Sequence, residues 1–162
     1  MFKYLMLYSA VLISILSCTT SDPGRLGTGR PGFGSLKIDE VSYFLSSGDQ
    51  TFTPGEPIRL ILRVKNTGKD IKEFRTEKNI LLVLQIRDRY RKNLLGLNIA
   101  ADRYIKEGSF KLMPSEERFF EISVETKNIP LDEYGSVYCQ VRLFFLPRQF
   151  RRNALSVYLK RK

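Results

Sequence analysis

Apolar and polar residues alternate with period two along two long stretches of the chain. Ile58, Leu60, Leu62 and Val64 take turns with Arg59, Ile61, Arg63 and Lys65; Phe120, Ile122 and Val124 take turns with Glu121, Ser123 and Glu125. Successive side chains of an extended chain point to opposite faces, so both stretches predict strands with one face in a core and one in water. Further apolar runs lie at Leu36 to Leu45, Ile80 to Arg87, Val137 to Leu146 and Ala154 to Lys160, divided by Thr53-Pro54-Gly55, Asn66-Thr67-Gly68 and Tyr134-Gly135. About seven strands punctuated by Gly, Pro and Asn predict an all-β sandwich or barrel. Its expected core includes Leu60, Leu62, Leu84, Ile122, Val141 and Leu143. A helix across Asp70 to Leu84 is the main rival, but its apolar residues keep no 3.6-residue period before Ile80.

The front of the chain obeys a different pattern. One cation, Lys3, precedes an apolar run from Tyr4 to Leu16 that ends at Cys18-Thr19-Thr20. A basic start followed by an apolar stretch of about 7 to 15 residues is the layout of an export signal. The run is shorter than the roughly 20 residues a membrane-spanning helix needs. From Thr19 to Ser35 the chain holds five glycines, two prolines and no apolar period, so it reads as a tether. The expected organisation is a signal segment over 1–17, Cys18 and a Gly/Pro tether over 18–35, and one β domain over 36–162.

Ile15-Leu16-Ser17-Cys18 resembles the lipobox of bacterial lipoproteins. The resemblance implies cleavage after Ser17, acylation of the Cys18 thiol and a lipid-anchored protein of the bacterial cell envelope. In a double-membraned cell, Thr19 after the cysteine resembles lipoproteins passed on to the outer membrane. On the residues alone, an ordinary signal or short anchor with an incidental Cys18 stays open.

Charge and chemistry narrow the function classes. The chain carries 27 Lys and Arg against 17 Asp and Glu, a net charge of +10, which draws it towards anionic surfaces. Two cysteines could form a disulfide in an exported protein, yet lipidation of Cys18 would leave Cys139 alone. Cys139 alternates with Val137 and Val141 and is expected as a small core residue. With no histidine, Cys-x-x-Cys, phosphate loop or Gly-x-Ser-x-Gly, neither a catalytic base nor a metal or cofactor site is expected. Glu116 with Glu117 and Asp132 with Glu133 flank turns and are expected as solvated charge. The expectation is a protein that is not an enzyme and uses no cofactor.

Two basic clusters stand out. Arg89 and Arg91 would share a face with Arg87 if the strand from Ile80 continues, and Lys92 follows them; Arg148, Arg151 and Arg152 form a second group around Phe150. Both are candidate contacts for anionic lipid or glycan, with plain solvated loops as the alternative. Nucleic acid is not expected as a partner of an exported domain.

"FTPGEPIRLILRVKNTG" (Phe52 to Gly68), "KLMPSEERFFEISVE" (Lys111 to Glu125) and "IPLDEYGSVYCQVRLFF" (Ile129 to Phe145) resemble successive strands of bacterial immunoglobulin-like modules. "LLVLQIRDRYRKNLLGLN" (Leu81 to Asn98) is similar to their proteinase-inhibitor-like branch, which implies an alternative function: insertion of the loop Arg89 to Leu95 into a protease cleft. The resemblance implies an immunoglobulin-like antiparallel β-sandwich with the strands at Ile80, Val137 and Ala154 adjacent in one sheet. Its outward face would then carry Leu81, Val83, Tyr138, Phe144 and Tyr158, bordered by Arg87, Arg142 and Lys160. Aromatic residues beside arginine suit a partner surface, here another envelope protein. Burial of that face beneath the segment Leu94 to Phe110 is the alternative.

Overall fold

The computed structural model describes residues 33–162. The signal segment, Cys18 and most of the tether lie outside these described residues.

The domain is an all-β sandwich. One sheet, A, has the order β1-β2-β4-β9, formed by β1 (Phe33–Ile38), β2 (Val41–Ser47), β4 (Ile58–Asn66) and β9 (Glu117–Val124). The other, B, has the order β3-β11-β10-β6-β7, formed by β3 (Thr51–Phe52), β11 (Ala154–Arg161), β10 (Ser136–Leu143), β6 (Ile80–Arg87) and β7 (Asn93–Ala100). All pairings are antiparallel except the short β3–β11 contact. A two-stranded ribbon of β5 (Lys72–Arg75) and β8 (Ser109–Leu112) completes the fold. The rival helix over Asp70 to Leu84 is replaced by β5, a turn and β6.

The period-two stretches behave as their pattern demands. Leu60, Leu62, Leu84, Ile122, Val141 and Leu143 are all buried, and β6, β10 and β11 are neighbours. Cys139 is also fully buried, and desolvation pushes its thiol up to about 12. At one end of the core the ribbon contributes Phe74 and Phe110, stacked at 4.6 Å, with Phe110 edge-on to Phe120 at 5.6 Å and to Phe145 at 5.5 Å.

Three local differences have simple causes. The run Leu36 to Leu45 is two strands, because Asp39 and Glu40 both adopt positive φ (45° and 62°) and reverse the chain without a glycine. Phe33 to Ser35, expected in the tether, belong to β1. In the turn from Met113 to Glu116, Ser115 takes φ 66°, the left-handed role that Gly55 (φ 83°) fills in the turn from Thr53 to Glu56.

Candidate functional site

Three strands build the candidate face. β10 lies between β6 and β11, with Tyr138 opposite Tyr158 and Arg87, Gln140 opposite Ser156 and Gln85, and Arg142 opposite Ala154 and Val83. Their neighbours Val137, Cys139, Val141, Leu84, Ile86, Leu155 and Val157 fill the core, so these residues share the outward side. The structure therefore gathers Val83, Arg87, Tyr138, Arg142 and Tyr158 on one surface, with Phe144 just past the end of β10.

Leu81 does not join them. The ladder between β6 and β7 is irregular at Ile80 to Leu82, and Leu81 and Leu82 are both buried as a result. The Leu81 carbonyl accepts the Phe144 N–H at 3.0 Å, which fixes that distortion. Nor does Leu94 to Phe110 cover the face. It begins as β7, pairing edge to edge with β6, and then leads into β8.

The chemistry of the face is aromatic and basic. The Tyr138 and Tyr158 rings lie 5.1 Å apart, and Tyr138 is 38% exposed. Arg87 donates to Gln85 Oε1 at 2.7 Å. Gln140, at the centre, is buried, and its Oε1 has no hydrogen bond among the described residues; the same is true of Nε on Arg87 and Arg142. The outward positions of β6, β10 and β11 hold no carboxylate, and among the described residues Arg87, Arg142 and Lys160 form no ion pair. Buried polar groups left without partners are costly: among the described residues Gln140 Oε1 lacks a donor, and the Nε–H groups of Arg87 and Arg142 lack acceptors.

The two basic clusters lie on different turns, the first in the turn after β6 and the second beside Phe144. Arg89, Arg91 and Lys92 do not continue β6. Asp88 is buried and accepts the N–H groups of Tyr90 and Lys92 at 2.8 Å each, closing a tight hairpin turn in which Arg91 takes φ 66°. Arg89 lies over the Tyr90 ring at the exposed tip. Asn93 to Leu95 already belong to β7, so the extended loop expected over Arg89 to Leu95 is a short turn instead. In the second cluster Arg148 and Arg151 both reach Glu77, at 3.7 and 2.8 Å, and Arg151 also lies over Phe144 at 5.6 Å. The Arg151 hydrogen bond and the surrounding positive charge hold the Glu77 carboxyl below its usual value. Two of those three arginines thus serve the loop itself, leaving Arg152 exposed.

The outer face of sheet A escaped sequence reasoning. Phe44, Arg63 and Phe119 stand side by side across β2, β4 and β9. No single run of sequence contains them, and only the register brings them together. Among the described residues no group of three or more His, Cys, Asp or Glu side chains is placed to hold a metal ion.

No family model and no curated protein matches the chain. Among solved structures it overlays the alkylpurine DNA glycosylase AlkC of Pseudomonas fluorescens bound to abasic-site DNA, at 11% identity and TM-score 0.45, over 78% of this chain and 31% of that one. It also overlays the sporulation control protein Spo0M of Bacillus subtilis, at 19% identity and TM-score 0.47, over 77% and 50%. A third overlay is the C-terminal domain of wzt, at 12% identity and TM-score 0.46, over 83% and 80%. The chain thus spans half or less of the first two proteins. Overlaps this distant carry no functional argument.

Proposed function

We propose that this chain is a lipid-anchored, non-catalytic interaction module of the bacterial cell envelope, with an immunoglobulin-like domain that docks another envelope protein through the outer face of sheet B. The observation that carries the docking reading is the Tyr138–Tyr158 pair, set beside Arg87 and Arg142 on a face without a carboxylate. Interfaces favour tyrosine and arginine because both contribute large contact areas together with directed hydrogen bonds. The immunoglobulin-like reading is supported by strand order: β11-β10-β6-β7 against β2-β4-β9 corresponds to the G-F-C-C′ and A-B-E neighbours of those sandwiches. The anchor reading is supported by the apolar run ending at Ser17-Cys18 and the glycine-rich stretch after it.

Three experiments test the proposal. Cells fed labelled palmitate should label the wild-type chain and leave Cys18→Ala unlabelled and outside the membrane fraction. A photo-crosslinking residue at position 138 should give a discrete adduct with an envelope protein, while the same residue at Lys111, on the exposed side of β8, should not. The paired change Tyr138→Ser and Tyr158→Ser should remove that protein from purified complexes with the melting temperature lowered by only a few degrees. Labelling of Cys18→Ala, or identical crosslinks from both positions, would overturn the respective half of the reading.

A further inference from the structure

The sandwich has a second outward face, with a different chemistry. On sheet A, Ser35, Phe44, Arg63 and Phe119 form one row across all four strands. The Arg63 guanidinium lies 4.3 Å over the Phe44 ring, and Phe33 packs against Phe44 at 5.7 Å. Phe33 is 40% exposed and Phe119 57%. Ile61 lies one pleat away, between Ser46 and Glu121. Phenyl rings carry no polar tip to satisfy, so this surface lacks the hydrogen-bonding handles that the tyrosines give sheet B.

Charge around these rings is mainly positive. Lys37, Arg59, Arg63 and Lys65 occupy outward positions, against Glu117 and Glu121. Glu117 is taken up by Lys65 at 2.7 Å and Arg63 at 3.8 Å, so it neutralises part of the rim without making the face acidic. Apolar rings inside a basic rim match the interfacial zone of an anionic bilayer, where rings enter the headgroup region and cations meet phosphate.

The basic rim, and the chain that leads from Cys18 into β1, favour this occupant. The described domain begins at Phe33, whose own side chain lies on this face. The chain from Cys18 to Phe33, even fully extended, reaches no further than about 50 Å, at roughly 3.3–3.6 Å per residue. A lipid on Cys18 would therefore keep the domain within about 50 Å of the membrane, so that even a weak contact of this face with the bilayer becomes an intramolecular one.

We propose that the outer face of sheet A, with Phe33, Phe44 and Phe119 around Arg63, rests on the surface of an anionic membrane and directs the outer face of sheet B away from it. The inference rests on the lipid-anchor reading. Its test reads orientation separately from attachment. The full chain, carried on its acylated Cys18 into vesicles of equal parts phosphatidylcholine and phosphatidylglycerol, receives one thiol-linked fluorophore at Ser123→Cys on sheet A or Asn98→Cys on sheet B. Cys139 is fully buried and does not compete for the label. Spin-labelled lipid headgroups should quench the Ser123→Cys probe several-fold more strongly than the Asn98→Cys probe. Phe119→Glu, at the more exposed ring, should bring the two close to equality while the protein still floats with the vesicles. Equal quenching in the wild-type chain, or stronger quenching on sheet B, in protein that floats overturns the orientation and leaves the anchor intact. Protein that fails to float overturns the anchor reading, and this inference with it.

Discussion

The Asn66 side-chain amide donates to the Leu112 carbonyl at 3.1 Å, tying the end of β4 to a strand 46 positions further along the chain. The same nitrogen reaches the carbonyls of Met113 at 3.1 Å and Asp70 at 2.8 Å, and Oδ1 accepts the Gly68 N–H at 3.0 Å. Asn66 is fully buried, so no water can replace these bonds without opening the turn. Asn66→Ala should cost about 2–4 kcal/mol, because each buried polar group left unpaired costs roughly 1–3 kcal/mol and some of them will relax towards solvent. Urea unfolding should show the lower midpoint with an unchanged slope. A loss below about 0.5 kcal/mol, the range of ordinary surface changes, would mean that the ribbon is held by its phenylalanines alone.

Leu62 lies at the middle of sheet A, between Leu45 and Phe120, and is fully buried. Leu62→Ala should cost roughly 2–5 kcal/mol, the transfer and cavity terms together.

What the sequence revealed and what it hid divide along one physical line. Strands β4, β6, β9, β10 and β11 were legible because one buried face imposes a two-residue period within a single run. The Asp39-Glu40 turn was hidden because neither residue is the glycine or asparagine that usually marks two positive φ angles. Leu81 was misplaced because an irregular ladder shifts the period by one residue without leaving a compositional trace. On sheet B the candidate face could be read, since it needs only the outward positions of strands already recognised. The row Phe44, Arg63 and Phe119 could not be read, since it depends on the registers of β2 with β4 and of β4 with β9.

Stability should respond to acid through two surface carboxylates. The Lys65 hydrogen bond, with nearby Lys65 and Arg63 charge, holds Glu117 below the ordinary value of 4.5, and Arg151 chiefly does the same for Glu77. A carboxylate depressed in the folded state favours folding while it is ionised. Its contribution is present above the unfolded pKa and is lost as pH falls through the folded one. The melting temperature should therefore hold steady from about pH 7 to 5 with respect to these groups and fall below about pH 4. In Glu117→Gln and Glu77→Gln the fall should be shallower, and salt should weaken the difference because both sites are open to solvent. An unchanged acid limb in both variants would count against either ion pair acting on stability.

Cys139 offers a kinetic check of core integrity. Its thiol is fully buried and pushed up to about 12 by desolvation, so almost no thiolate exists near neutral pH. Iodoacetamide at about pH 8 should leave the folded domain unmodified and alkylate Cys139 promptly once denaturant unfolds it, with mass spectrometry reading the adduct. Fast labelling without denaturant would mean that β10 opens locally.

At Gly34 the two sheets approach each other through backbone alone. It lies on β1, and a Cβ built there would sit 2.6 Å from the Ser156 carbonyl oxygen and 2.9 Å from its nitrogen. Both atoms belong to the backbone of β11, which is held in register by Gln140 on β10 and cannot swing aside as a side chain would. Gly34→Ala should therefore cost about 1–3 kcal/mol, as overpacking of a closed core does. Because β1 is the edge of sheet A, relief should come from β1 lifting away rather than from β11 moving. Hydrogen exchange should accelerate at the β1–β2 amides and stay slow along β4 and β9. Gly135→Ala provides the contrast, since nothing lies within 4 Å of its added methyl, and it should stay within about 0.5 kcal/mol of the parent. If Gly34→Ala melts like Gly135→Ala and its β1 amides exchange no faster, the close approach of β1 to β11 is not what seals this side of the sandwich.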